Sequence, residues 1–322
     1  MKNACIIGAG NIGSRHLQGL RKVKFPLSIE VVDPSKESLE IARQRYEQVE
    51  SLADHKISFL SDLSKVSKEI DLAIVATNSN VRRKVTEQLL TTSSVKYLVL
   101  EKILFQNPND YQSLEKLLKK KNCKTWINFS MRTMPFYHDL KGKVKGPIQM
   151  IVSGSQYGLI TNAIHFIDYI AFITGNYDFI VDIKGLDKNP IESKRLGFLE
   201  LNGTLGVHFT DGSFGSFTCY ANGNAPFIIE LLSPEYRCIS KESERKAWLS
   251  CSDTDWKWEE ADSNIPFQSD MTNKLVEDIL KSGTCPLTSY KDAAKLHITF
   301  LDSLLQFLNE SSDEKYSLYP FT

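Results

Sequence analysis

Ala4-Cys5-Ile6-Ile7-Gly8-Ala9-Gly10-Asn11-Ile12-Gly13 is the stretch on which the fold turns. Four apolar residues read as a short strand, and the six that follow spell G-x-G-x-x-G. Ser14–Leu20 then continues with helical spacing. A glycine loop between a strand and a helix is the context in which this motif cradles a pyrophosphate. Gly8 allows the tight turn, Gly10 has no side chain to hold phosphates away, and Gly13 lets the helix pack close to the strand. The helix start, with Asn11 and Ile12, turns unpaired N–H groups and a positive dipole end to the same place. A glycine turn without a ligand is the plain alternative; context and spacing together favour a dinucleotide.

Outward from this loop, short apolar runs recur at Ile29–Val32, Leu72–Ala76, Tyr97–Leu100 and Thr125–Phe129, separated by helix-like stretches. Runs apolar on both faces suit parallel strands covered by helices. The alternation predicts a doubly wound parallel sheet, a Rossmann domain, over about residues 1–125. Asp33 closes the second run, 20 residues past Gly13. A carboxylate there accepts from ribose hydroxyls and repels a 2′-phosphate, which favours NAD, while Lys36 in the same loop leaves NADP open. Asp33 also begins the turn Asp33-Pro34-Ser35, and the two roles are compatible.

Beyond Phe129 the texture changes. A helical stretch, Asn162–Thr174, ends at Gly175, and strand-like runs follow at Gly197–Thr210 and Ser213–Tyr220 around the turn Asp211-Gly212. Further runs at Phe227–Leu232, Tyr236–Ile239 and Ala247–Cys251 precede helices near Met271–Leu280 and Tyr290–Leu308. Residues 126–322 therefore read as an α+β domain with an antiparallel or mixed sheet.

Composition narrows the classes. Lys+Arg and Asp+Glu are both 39, so the chain lacks the basic excess of a nucleic-acid binder or of a polybasic membrane anchor. No apolar run reaches the ~18 residues needed to cross a bilayer. The six cysteines form no C-x-x-C pair, so no metal site or disulfide framework is expected. With an apolar run starting at Ala4 and no room for a signal peptide, the expectation is a cytoplasmic protein with reduced thiols.

The ordered set of Gly8–Gly13 with Ser14-Arg15-His16-Leu17, Asp33, Ala76-Thr77-Asn78, Glu101-Lys102, Asn128–Arg132 with Pro135, and the helix with His165 and Asp168 resembles the Gfo/Idh/MocA family of oxidoreductases. The likeness runs over nearly the whole chain, to a tail segment Leu287–Leu304 like the family's final helix. It implies a Rossmann domain followed by a domain with a large, mostly antiparallel sheet, and a C-terminal helix packed back on the first domain. It also implies substrate beside the nicotinamide and homo-oligomers built through the open sheet face. Glu101 is carried over with the cofactor site, and Lys102 with substrate binding and proton transfer. A lysine suits that task because burial beside a cationic nicotinamide depresses its pKa. A solvated strand-end lysine is the plain alternative.

This chain departs from the family pattern twice. Glu-Lys-Pro is the usual form, often with a cis peptide, and residue 103 here is Ile. Asp-x-x-x-His is common in the second domain, and Thr161 stands four residues before His165. His165 is a candidate acid/base group or a satisfied helix histidine. Asp168, on the same helical face, is a candidate to orient it or bind a hydroxyl. Thr161, Asn162, Arg132 and Tyr157 complete the candidate substrate contacts. Thr77 and Asn78 follow a strand and are expected to line the cofactor. Arg82 reads as an anion contact or, by preference, as part of a solvated Arg82-Arg83-Lys84 face.

The reading is an NAD(P)-dependent dehydrogenase or reductase acting on a CH–OH group of a sugar, sugar acid or nucleotide-sugar, with a loose likeness to members of surface-polysaccharide synthesis. A regulator that senses NAD(P) or sugar without turnover is one rival. An imine or enal reductase is the other.

Overall fold

The computed structural model describes residues 1–322. The elements in chain order are β1 (Lys2–Ile7), α1 (Asn11–Arg21), β2 (Leu27–Val32), α2 (Lys36–Glu47), β3 (Lys56–Leu60), β4 (Glu69–Val75), α3 (Ser79–Thr92), β5 (Ser94–Leu100), α4 (Pro108–Lys121) and β6 (Lys124–Ile127). Then come α5 (Pro135–Leu140), β7 (Gln149–Ser155), α6 (Leu159–Thr174), β8 (Phe179–Leu186), β9 (Ile191–Glu192), β10 (Leu199–Glu200), β11 (Gly203–Phe209) and β12 (Phe214–Tyr220). After them lie β13 (Ile228–Leu232), β14 (Tyr236–Lys241), β15 (Lys246–Cys251), β16 (Glu259–Asp262), α7 (Gln268–Ser282), β17 (Thr288–Ser289) and α8 (Tyr290–Ser311). They form two compact units. One comprises Met1–Phe105, Asn109–Asn128 and Pro266–Lys291, the other Gln106–Pro108, Phe129–Ile265 and Asp292–Thr322.

In the first unit the strand order is β17-β6-β5-β4-β1-β2-β3. β1 to β6 pair in parallel, and β17 adds one antiparallel edge. The order reverses between β1 and β4, where the carboxyl ends of a doubly wound sheet leave a crevice for ligand. Leu72, Ala73, Ile74 and Val75 on β4 are all buried, as a strand covered on both faces requires. β3 has no counterpart among the expected runs. It is an edge strand with half-exposed Ile57 and Phe59 among polar neighbours, so its apolar content is low.

Helix α7, within the segment Pro266–Lys291, belongs to this unit, although the sequence expectation assigned all residues from 126 on to the second domain. α1 buries Leu17 and Leu20, and Leu275, Val276 and Ile279 of α7 join the same core. The helices meet closely at Gly19, where a Cβ would stand 2.5 Å from Cβ of Thr272. The final helix α8, expected to pack back on the first domain, counts with the second unit from Asp292 onward.

The second unit is built on the sheet β16-β15-β14-β13-β7-β12-β11-β8, antiparallel except for the pair β7 and β12. α6 lies on one face, with Phe166 and Phe217 ring centres 5.3 Å apart. Ile151, Ser216, Glu230 and Ile239 stand in register on the other face. Gly212, at φ +88°, supplies the left-handed residue of the Asp211-Gly212 turn between β11 and β12. The run expected at Gly197–Thr210 divides at Asn202, since β10 pairs with β9 in a separate ribbon. β8 was not expected from the sequence. No helix is long and apolar enough to cross a membrane.

Candidate active site

The loop after β1 is shaped by two contacts. Gly8 has φ +93° and donates its N–H to Val32 O at 2.8 Å. A Cβ on Gly13 would lie 1.7 Å from Gly8 O, so only glycine fits where α1 crosses the loop. Gly10 differs: it caps α1, is exposed, and a Cβ there would meet nothing within 4 Å. No side chain caps the helix, so the first-turn N–H groups at Asn11 and Ile12 face outward. The Asp33 carboxylate is held over the loop, accepting from Ala9 N–H and Ser35 N–H at 2.8 Å each. Arg45 donates to Ser14 Oγ at 2.6 Å and to Asn11 Oδ1 at 3.3 Å, bringing to the loop a cation that the sequence reading did not place there.

Thr77 follows β4 and abuts Gly8, its Cγ2 lying 3.1 Å from a Cβ built there. The Thr77 hydroxyl is buried and finds no partner within the chain. Asn78 caps α3 without a side-chain hydrogen bond. Open space before Gly10, unpaired helix N–H groups and an orphaned hydroxyl together fit a dinucleotide lying across the loops after β1 and β4.

Lys102 stands just past β5, the next strand of the same parallel set, and is half-buried. The peptide between Lys102 and Ile103 is cis. Both neighbours of Lys102 are tied down. Glu101 turns inward, with Oε1 2.8 Å from His16 Nε2 and 2.6 Å from Asn128 Nδ2. His16 Nδ1 lies 2.9 Å from Thr272 Oγ1, and Asn128 also donates to Gln268 Oε1 at 3.0 Å, which draws α7 into the network. Burial alone would raise the Glu101 carboxyl; the hydrogen bond and charge of His16, the Asn128 amide and the Arg82 charge outweigh it and hold the group at about 2. The carboxylate expected to serve the cofactor is thus engaged with His16 of α1 and with Asn128 just past β6, and through them linked to α7.

On the other side, Arg82 corrects an expectation. It is 2 % exposed rather than solvated. Its Nη1 donates to Ile103 O and, at 3.1 Å, to Leu104 O, and its Nη2 donates to Thr77 O. Two of these partners, Ile103 O and Leu104 O, are main-chain carbonyls some twenty residues on, which side-chain patterning along the chain does not reveal.

In the second unit, α6 carries His165, partly exposed, with its ring edge-on to Phe129 at 5.9 Å. Phe129 in turn stacks on His297 of α8 at 5.4 Å. Arg132, expected at the substrate, and Asp168, expected to orient His165 or bind a hydroxyl, are engaged with each other in a buried two-point ion pair, Nε–Oδ2 2.8 Å and Nη2–Oδ1 2.9 Å. Asn162 donates to Tyr157 O at 2.7 Å and Gly158 O at 2.9 Å, closing the turn into α6. Glu200, which no sequence signal marked, caps that helix: it accepts from Ile160 N–H at 2.8 Å, Thr161 N–H at 2.9 Å and the Thr161 hydroxyl. The Tyr157 hydroxyl is buried without a partner in the chain, and burial pushes the phenol up.

Several known structures share this fold across nearly the whole chain. An oxidoreductase from Agrobacterium radiobacter, solved with NAD+, L-tartaric acid and magnesium, has a TM-score of 0.73 at 14% identity, covering 97% of both chains. A UDP-N-acetylglucosamine 3-dehydrogenase from Acidithiobacillus ferrooxidans gives 0.72 at 11% identity, over 97% of this chain and 99% of that one. A levoglucosan dehydrogenase in complex with NADH and L-sorbose gives 0.69 at 14% identity, over 97% and 98%. At such identities the likeness establishes the fold alone. No curated protein matches the chain by sequence. Residues 2–129 match the model of the GFO/IDH/MocA oxidoreductase family, described as an NAD-binding Rossmann fold. With the glycine loop, Asp33 and the parallel sheet in place, this first domain is similar to the NAD-binding Rossmann domain of that family.

Proposed function

We propose that the protein is an NAD-dependent dehydrogenase that oxidises a CH–OH group of a sugar-like substrate, or reduces the matching carbonyl. The observation that carries this reading is the station of Lys102. It follows β5 at the sheet edge where the loops after β1 and β4 present the phosphate loop and the orphaned Thr77 hydroxyl. Bound NAD supplies the hydride acceptor at its nicotinamide ring. Lys102, as the neutral amine, takes the hydroxyl proton while the carbinol carbon gives up its hydride, so alcohol becomes carbonyl and the ammonium retains one proton. Run in reverse, the ammonium donates it. His165, partly exposed on α6, is the second group able to exchange a proton with a substrate hydroxyl. Thr161 offers its oxygen as an acceptor, because its proton goes to Glu200. Asp33 favours NAD over NADP, since a 2′-phosphate would meet its carboxylate.

The substrate class rests on support of a coarser kind. Structures of the same fold include a nucleotide-sugar dehydrogenase and one bound to L-sorbose. A sugar, sugar acid or nucleotide-activated sugar is the proposed range, and assembly of copies through the open face of the second sheet is part of the reading.

The test is a spectrophotometric screen of NAD reduction and NADH oxidation against polyols, sugar acids and nucleotide-sugars, repeated with Lys102→Ala. The expected result is turnover in the natural protein, a loss of kcat of about 10²–10⁴-fold in the variant, and NADH affinity within about threefold. NADH binding without turnover on any carbinol or carbonyl would overturn the reading in favour of a sensor. Turnover on imines alone would move it to an imine reductase.

A further inference from the structure

We propose that Arg82 is a positioning residue that sets the attitude of Lys102 by joining the loop after β5 to the loop after β4. The inference rests on the role given to Lys102 above and adds a residue to it. Three main-chain oxygens converge on one guanidinium: Ile103 O and Leu104 O from the segment directly after Lys102, and Thr77 O from the loop beside Gly8. Ile103 and Leu104 are fully buried, and their carbonyls lie beyond the end of the β5 ladder. A buried carbonyl left without a donor loses its hydration and gains nothing in return, so these oxygens need a partner.

Arginine is suited to this place because its planar fork presents donors on separate nitrogens in fixed directions, and it keeps its charge when buried. An ammonium is a single centre on a flexible stem and cannot meet both loops in the same geometry. Glu101, immediately before Lys102, is held from the opposite side by His16 and Asn128. Lys102 is therefore clamped between two buried anchors. The Arg82 anchor also reaches the Thr77 loop, so it ties the proton-handling amine to the cofactor-lining loop. A displacement of about 1 Å at a reacting group costs on the order of 10²-fold in rate, which is the effect expected when the clamp is lost.

The experiment uses the full chain with Arg82→Lys and Arg82→Met. Three quantities are read: kcat and KM on the best substrate of the screen, NADH affinity by fluorescence titration, and the acylation rate of Lys102 by acetic anhydride relative to the other lysines, by mass spectrometry. The expected result for Arg82→Lys is a kcat at least about 100-fold lower with NADH affinity and KM within about threefold, and a Lys102 acylation rate shifted at least about fivefold. A role confined to stability would lower the melting temperature and leave that split and the labelling unchanged. Arg82→Lys with natural kcat and natural labelling overturns the inference, as does a loss of NADH affinity in proportion to the loss of kcat. Should Arg82→Met fail to fold, Arg82→Lys carries the test. The two readings separate cleanly. If the natural protein turns over nothing but the labelling shift appears, the dehydrogenase reading falls and Arg82 keeps its role; turnover unaffected by Arg82→Lys gives the converse.

Discussion

Gly10 and Gly13 belong to one motif yet answer to different demands. Gly13 is fixed by the protein itself, since a methyl group there would overlap Gly8 O. Gly13→Ala should destabilise the chain by about 3 kcal/mol or more, read by urea unfolding, because the obstacle is backbone and cannot rotate away. Gly10 meets nothing within 4 Å and has φ −65°, which alanine adopts freely. Gly10→Ala should leave the melting temperature within about 2 °C while NADH affinity falls at least about tenfold, measured by titration. Glu101 gives a pH-dependent counterpart. Its folded value of about 2 lies below the unfolded carboxylate value near 4.5, so the ionised form stabilises the fold above pH ~4.5, and this contribution fades as pH falls towards 2. The stability gap between the natural protein and Glu101→Gln should be on the order of 3 kcal/mol at pH 7 and less than half of that at pH 3. The glycine loop was legible because its logic is local: spacing, a strand before and a helix after. Arg82, Glu200 and the pair Arg132–Asp168 were not, because their partners are brought close only by the fold, and charged residues in a sequence look solvated until burial is known.

The helices and strands were readable to the extent that each buries a continuous apolar face. β1, β4 and β5 do so, and their apolar runs announced them. β3 and β8 lie at sheet edges, where one side is open and the pattern weakens. α7 was expected as a helix near its observed place, but its allegiance could not be read. It is separated in sequence from α1 by the whole second sheet, yet fills the apolar stripe of α1 with Leu275, Val276 and Ile279. It also supplies Thr272 and Gln268 to the network around His16 and Asn128. Its packing and polar contributions can be separated. Ile279 is fully buried, so Ile279→Ala should cost about 2–5 kcal/mol of unfolding free energy while leaving NADH affinity within about threefold. If affinity drops as steeply as stability, α7 shapes the phosphate loop as well as covering it.

The second sheet has one face beneath α6 and one face to account for. Ile151 and Ile239 share one row of that open side with Ser216 and Glu230, Phe214 and Leu232 share another with Gln149 and Arg237, and Ile228 and Tyr220 are substantially exposed near its end. A hollow of about 550 Å³ lies at one end of the face, lined by Pro147, Gln149, Leu232, Arg237 and Trp258 among others. Trp256 and Trp258 are exposed here, and Arg237 stacks on Trp256 at 4.8 Å. Eight strands spaced ~4.8 Å apart and about six residues long span roughly 38 by 20 Å, or about 750 Å². That is close to the ~800 Å² per partner of a standard stable interface. The charges on the face are mixed, Glu230 beside Arg237 and Lys241, so a two-fold partner meets no field of one sign. The proposed assembly then makes a definite prediction. Light scattering should give a mass of at least two chains for the natural protein, and Ile239→Glu should reduce it to one. The variant should keep its NADH affinity, since the phosphate loop, Asp33 and Thr77 all lie in the first unit. A natural protein that already runs as one chain at micromolar concentration would show that this sheet meets water on its open face, as antiparallel sheets commonly do.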